Sequence, residues 1–328
     1  MFTKVVFKNY RALVDATLEL SPITVLAGPN GSGKTSVIDA FQFHWPANNV
    51  LSSIPPLLPT KGKQTESLSV AFYIKNMGNP AMTRSASDIQ HINTSGMSYS
   101  ETRNISYYKH GGTLYAFNAS LMRQPVTVSK YTGLTTNGGN LSGFLDYIRD
   151  NDADKFSALG KAIYKCTGEF DDIGFDAIDD GKKLFKLRRT GQRDFITASE
   201  LSEGTLYIVA ILALAFQPQK PALLCIEEPD RGLHPRLYRE IRDVLHRLAY
   251  PDQYGETHAP VQIIATTHSP YFLNEFSPEQ VVVCEKNADH SVTFRNLSKD
   301  PDAMRILGDS LIGDAWATGA LGGVPTIK

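Results

Sequence analysis

Lys34 is the residue around which the possible chemistry of this chain gathers. It stands in Gly28-Pro-Asn-Gly-Ser-Gly-Lys-Thr35, a Walker A sequence. The glycines let the backbone N–H groups of Asn30, Gly31, Ser32 and Gly33 turn inward and cradle phosphate oxygens. Lys34 would reach the β and γ phosphates of ATP, and the Thr35 hydroxyl would hold Mg²⁺. Ser36 follows at the start of a helix, whose N-terminus adds partial positive charge at the same spot. ATP and Mg²⁺ are therefore the expected ligands.

Phosphoryl transfer also needs an oriented water and a second handle on the metal. Residue types that could supply these lie far down the chain. Glu227-Glu228-Pro229-Asp230 follows an apolar run at the place a Walker B would put its acidic pair. Glu227 takes the metal position, one methylene longer than the usual Asp. Glu228 is the general base, or the carboxylate that orients water. His268, in Thr267-His-Ser269, would sense the γ-phosphate, since histidine changes charge near physiological pH. Leu201-Ser-Glu-Gly-Thr205 is an LSxG sequence, in which Ser202 and Gly204 would face a phosphate. Each short match alone is weak. Their order after a Walker A is the strong signal.

Elements must position these groups. Ile23 to Ala27 reads as a buried strand and Ser36 to Phe41 as the first turns of a helix, the context that Walker A requires. Tyr207 to Phe216 reads as a helix. Ala222 to Ile226 is a continuous apolar run, read as a second buried parallel strand, and Val261 to Thr266 reads as a third buried strand. The expected fold is α/β: a P-loop NTPase whose sheet resembles an ABC-ATPase head, with an inserted β-rich and helical lobe.

The order Walker A, LSxG, Walker B, switch histidine resembles that of ABC-type ATPase heads. The closer likeness is to the RecF, SMC and OLD-type branch. Val5-Val-Phe-Lys-Asn-Tyr-Arg-Ala-Leu13 looks like that branch's opening strand. Glu227-Glu-Pro-Asp-Arg-Gly-Leu-His-Pro235 and Ala265-Thr-Thr-His-Ser-Pro270 look like its acidic and switch segments. The tail Trp316 to Pro325 resembles that of stand-alone predicted ATPases of the same branch. The likeness is poor across residues 45–195. It implies that Glu227 can replace Asp without loss of activity, that Arg11 approaches the nucleotide, and that Asp230 lies on a dimer seam. Gln124 is the best candidate for a Q-loop residue. His234 reads as structural rather than catalytic.

Composition bounds the rest. The chain has 328 residues, is 42% hydrophobic and carries a net charge of −1, so a full core is affordable and no global basic excess exists. Cys166, Cys225 and Cys284 fall in no metal spacing; Cys225 and Cys284 lie in apolar strand runs and read as small buried hydrophobes, which fits a reducing cytoplasm. No apolar run is long enough to cross a membrane. The start, Met-Phe-Thr-Lys, lacks the order of a signal peptide.

Three zones follow: a P-loop half over 1–45, an inserted lobe over 46–195, and a signature, Walker B and switch half over 196–328. In the middle zone, Ser67 to Ile74 and Leu114 to Phe117 read as strands, and Asn140 to Lys165 as helix. Pro55-Pro56 and Lys61 to Lys63 read as loop. No sustained heptad pattern appears, so the head has no long coiled-coil arm. Lys182 to Arg193 carries six basic residues and reads as a hairpin turning at Thr190-Gly191. It is either an edge blunted by charge or a contact for DNA phosphates.

Three functions fit. The first is a homodimeric ATPase with ATP between the heads, in DNA repair or anti-phage defence. The second is an ATPase partner gating a separate nuclease or toxin chain. The third is a transporter ATPase subunit, against which the opening strand and the Glu227 to Pro235 segment speak.

Overall fold

The computed structural model describes residues 1–41, 68–74, 82–85, 89–92, 112–131 and 133–324. The expected loops at Pro55-Pro56 and Lys61 to Lys63 lie outside them. The chain divides into two compact units. Unit 1 holds Met1–Leu114, Pro221–Ile226 and Pro260–Lys328, and unit 2 holds Tyr115–Lys220 and Glu227–Ala259.

In unit 1, β1 (Phe2–Tyr10) buries Phe2, Val5, Phe7 and Tyr10 and pairs antiparallel with β2 (Leu13–Glu19). β3 (Ile23–Ala27) is buried at all five residues, as a central parallel strand must be. The phosphate-loop helix Lys34–Ala40 follows. β4 (Ser69–Ile74), β5 (Met82–Ser85) and β6 (Ile89–Ile92) extend the first sheet, in the order β2-β1-β4-β5-β6. These three strands fall in the 46–195 zone, yet β4 pairs with β1, β5 with β4 and β6 with β5, all within unit 1. The second sheet contains β7 (Gly112–Tyr115), β12 (Leu223–Glu227), β13 (Gln262–Thr267), β14 (Val281–Lys286) and β15 (Val292–Asn296). Its order is β15-β14-β3-β13-β12-β7.

One core joins both sheets to the phosphate-loop helix: Phe2, Phe7, Leu18, Val37, Phe41, Phe72, Ile264 and Val282 belong to it. Phe41 and Phe72 meet edge-on at 5.2 Å, and Phe2 lies 5.6 Å from Phe72. Truncating such a ring costs about 3–5 kcal/mol. Gln262, fully buried, accepts from Phe2 N at 2.8 Å and donates to Phe2 O at 2.7 Å. It thereby ties the first strand to β13.

Unit 2 contains β8 (Val126–Thr127), β9 (Phe170–Ile178), β10 (Lys182–Arg189) and β11 (Phe195–Thr197), with β10 pairing antiparallel to the other three. The expected hairpin is present, and Gly191 takes the left-handed φ of 75° at its turn. Helices Leu141–Asn151 and Ala153–Thr167 pack on this sheet. The signature helix Glu203–Ala215 is buried from Leu206 to Leu214 and lies between the Ala153–Thr167 helix and helix Tyr238–Ala249. A helix apolar on every side can only be an interior one.

Candidate nucleotide site

The phosphate loop turns as its glycines demand. Gly31 and Gly33 have φ of 75° and 84°, values at which a side chain would strain the backbone. Lys34 is buried, and its ammonium donates to Gly28 O and Pro29 O, both at 2.8 Å, and to Ser32 Oγ at 3.5 Å. A buried cation needs such oxygens. Here they hold Nζ over its own loop, where phosphate oxygens would be received. Asn30, Gly31 and Thr35 are exposed, and Ser36 is half-buried. Arg11, at φ 52°, pairs with Asp39 on the phosphate-loop helix, which brings its guanidinium to that helix.

Strand register places the switch segment. β13 runs parallel to β3 with Ala27 opposite Thr267. Gly28 and His268 therefore leave adjacent strands at the same level. His268 is exposed, while Thr267 is buried and accepts from Ser269 N at 2.9 Å. β12, which ends at Glu227, is next to β13. The carboxyl ends of neighbouring parallel strands are where α/β sheets bind ligands.

In unit 2, Glu228 opens the segment after β12 with φ 43°. A non-glycine residue there costs roughly 1–2 kcal/mol, and strain of this kind gathers at functional positions. Its carbonyl accepts from Arg231 N at 2.9 Å, and Asp230, buried, accepts through its carbonyl from Leu233 N at 3.2 Å. Ser202 caps the signature helix, accepting from Thr205 N at 3.1 Å. Gly204 is packed so closely that a Cβ there would lie 2.5 Å from Gly232 O. Arg231 meets Glu203 at 3.6 Å. Burial, aided by a hydrogen bond with Glu203, raises the Tyr207 hydroxyl above its ordinary pKa. Signature and acidic segments thus form one braced cluster.

Arg123 is a residue that the sequence reading missed. Its guanidinium donates to Leu201 O at 2.9 Å, fixing the first residue of LSxG. No motif marks it, because the contact spans 78 residues. Its neighbour Gln124 is exposed and donates to Ser120 O at 3.3 Å. His234 accepts from Arg236 N at 3.2 Å and so caps a turn, a structural task.

The basic hairpin is laced with carboxylates. Lys183 reaches Asp146 at 2.8 Å, Lys186 pairs with Asp176, Arg188 reaches Asp171 at 2.9 Å, and Arg189 reaches Glu169 at 3.0 Å. Charge already paired releases few counterions from DNA, so the blunted-edge reading fits better. All three cysteines are buried and free. Burial holds their thiols protonated, pushing Cys166 up to about 11 and Cys284 up to about 12. Among the described residues no cluster of three metal-ligating side chains occurs, and no helix is long and apolar enough to cross a membrane.

Known proteins resemble the chain in two ways. A family described as AAA domain, putative AbiEii toxin, Type IV TA system matches residues 123–274, and an AAA-domain family matches residues 4–118. An OLD nuclease of Thermus scotoductus is 23% identical over 89% of this chain. The match covers 63% of that relative's length. Among solved structures, an SMC head bound to the C-winged helix domain of ScpA superposes with a TM-score of 0.58 at 14% identity, covering 93% of this chain and 99% of that one. An SMC head with an extended coiled coil from Pyrococcus furiosus, bound to the C-terminal domain of ScpA, gives 0.57 at 13% identity over 94% and 98%. Motif order, domain families and head fold agree: the chain has a P-loop NTPase fold and is similar to ATPase heads of the RecF/SMC/OLD-like kind.

Proposed function

We propose that this head binds and hydrolyses Mg-ATP and pairs with a second copy of itself through the nucleotide. The observation that carries the reading is the register of Ala27 against Thr267. It aligns the exits to the phosphate loop and to His268 on neighbouring strands. Lys34 and the N–H groups of Asn30 to Gly33 bind the phosphates. The Thr35 hydroxyl and the Glu227 carboxylate, both hard oxygen donors, suit Mg²⁺. Bound there, Mg²⁺ would neutralise charge that develops on the phosphates. Glu228 takes the proton of the attacking water, and His268 senses the γ-phosphate. Arg11 and Gln124 are supporting nucleotide contacts.

Ser202 and Gly204 open a second helix N-terminus, yet the phosphate loop already serves its own nucleotide. A second such end is useful against a phosphate held by another subunit. The test is light scattering of Glu228→Gln with and without Mg-ATP. ATP-dependent doubling of mass supports the pairing. A monomer under both conditions overturns it.

A second reading makes the head a regulator of a separate nuclease or toxin chain. It is favoured by the likeness to an OLD nuclease and to a family described as putative AbiEii toxin. Copurification with mass spectrometry of bound chains and nucleic acid separates the two, and would also show whether the work lies in DNA repair or in defence. Buried thiols favour a cytoplasmic setting for either.

A further inference from the structure

The tail from Trp316 to Val324 has no part in the chemistry above, yet it lies against the strand on which the phosphate loop rests. Val283 of β14 pairs with Ala27, the last residue of β3. Cys284 therefore sits beside Gly28, where the phosphate loop begins. A Cβ on Gly28 would lie 2.5 Å from Cys284 O and 3.1 Å from Cys284 Cβ. The far end of the loop rests on the same hairpin, since a Cβ on Gly33 would come within 3.3 Å of Val292.

The tail approaches that stretch of β14 from its own side. A Cβ on Gly323 would collide with Val283 and lie 3.3 Å from the same Cys284 carbonyl, and one on Gly322 would collide with the Glu285 carboxylate. Three anchors fix the approach. Trp316 Nε1 donates to Gly323 O at 3.2 Å. Arg295 donates to Leu321 O and to Glu285 at 3.0 Å, and also meets Asp300 at 3.0 Å. Leu321 is fully buried. One peptide carbonyl, that of Cys284, is thus flanked by the first glycine of the phosphate loop and a glycine of the tail.

We propose that the tail, through Trp316, Gly322 and Gly323, is a positioning element for the phosphate loop: it holds the end of β14 and so sets nucleotide affinity. Packed interiors have little slack. A shift of β14 forced at Gly323 must therefore move Cys284, and with it Gly28. The proposal rests on reading the loop as an ATP site. Gly323 touches no nucleotide in this scheme and acts only through β14.

The experiment compares Gly323→Ala with Gly255→Ala in the full chain. Gly255 has a similar φ, 68° against 62°, but open space around it, so it carries the backbone strain without the collision. Trp316→Phe keeps one aromatic ring and removes the Nε1 donor along with part of the indole's packing. Steady-state ATPase and ATP calorimetry are read beside melting temperature. Expected is a rise in KM of about tenfold for Gly323→Ala over Gly255→Ala, with kcat within about twofold, the signature of lost uniform binding. KM and Kd equal in Gly323→Ala and Gly255→Ala, whatever the melting temperatures, overturn the proposal. If Gly323→Ala does not fold, Trp316→Phe decides: about threefold weaker ATP binding than wild type supports the tail, and unchanged binding overturns it. A wild-type chain that binds no ATP overturns the nucleotide reading itself, a result that these variants cannot mimic.

Discussion

Gly204 and Gly232 touch so closely that neither the signature motif nor the segment after the acidic pair can move alone. The space between Gly204 and the Gly232 carbonyl admits no Cβ. Gly204→Ala should push the Arg231–Leu233 turn outward. Overpacking of this kind costs about 1–3 kcal/mol, to be read as a lowered urea midpoint with unchanged slope. ATP binding at the phosphate loop should persist while turnover falls. Turnover and stability both like wild type would mean that the contact carries no strain.

Lys34→Ala removes a buried cation whose oxygens at Gly28 and Pro29 are backbone and remain in place. ATP affinity should drop by at least about tenfold, about 1.4 kcal/mol. Calorimetry measures it. Wild-type affinity would remove the phosphate-binding assignment.

Glu228 combines a proposed chemical role with left-handed backbone, and two substitutions separate these. Glu228→Gln keeps the strain and removes the base, so hydrolysis should slow by about a hundredfold or more with ATP still bound. Near-normal turnover would move the base to His268. Glu228→Gly also removes the strain. It should hydrolyse no better than Glu228→Gln yet unfold at a higher denaturant concentration, by about 1 kcal/mol.

Ser202→Arg should bind ATP but fail to pair or hydrolyse, because the bulk sits at the cap of the signature helix. Removing the cap bond alone costs about 1 kcal/mol, so Ser202→Ala serves as the folding control. Mixing Ser202→Arg with Lys34→Ala should restore at most one working site per mixed pair. Normal hydrolysis by Ser202→Arg alone would rule out a shared site.

The hairpin should be indifferent to DNA. Lys186→Ala breaks its pair with Asp176, which is partly exposed, and exposed pairs contribute about 1 kcal/mol or less. A small loss of stability with no change in the salt dependence of DNA retention is expected. A DNA affinity that falls on this substitution would reinstate the phosphate contact.

The sequence by itself determined the local units. The phosphate loop and the turn at Gly191 depend on residues within a few positions of one another, so glycine spacing reveals them. Largely apolar runs marked β3, β12 and β13 as interior strands, because two covered faces leave few polar positions. The tertiary structure alone decided which strands are neighbours. An apolar run does not encode its partner, and crossovers set the order β14-β3-β13-β12. Only that order brings Thr267 beside Ala27 and Cys284 beside Gly28. The left-handed turn at Glu228 was equally hidden, since nothing in a glutamate announces positive φ. So were Arg123 on Leu201, Gly204 against Gly232 and Gly323 against Cys284, where backbones distant along the chain meet with no room for a side chain. Such contacts arise from close packing, a property of the assembled core and not of any stretch of residues.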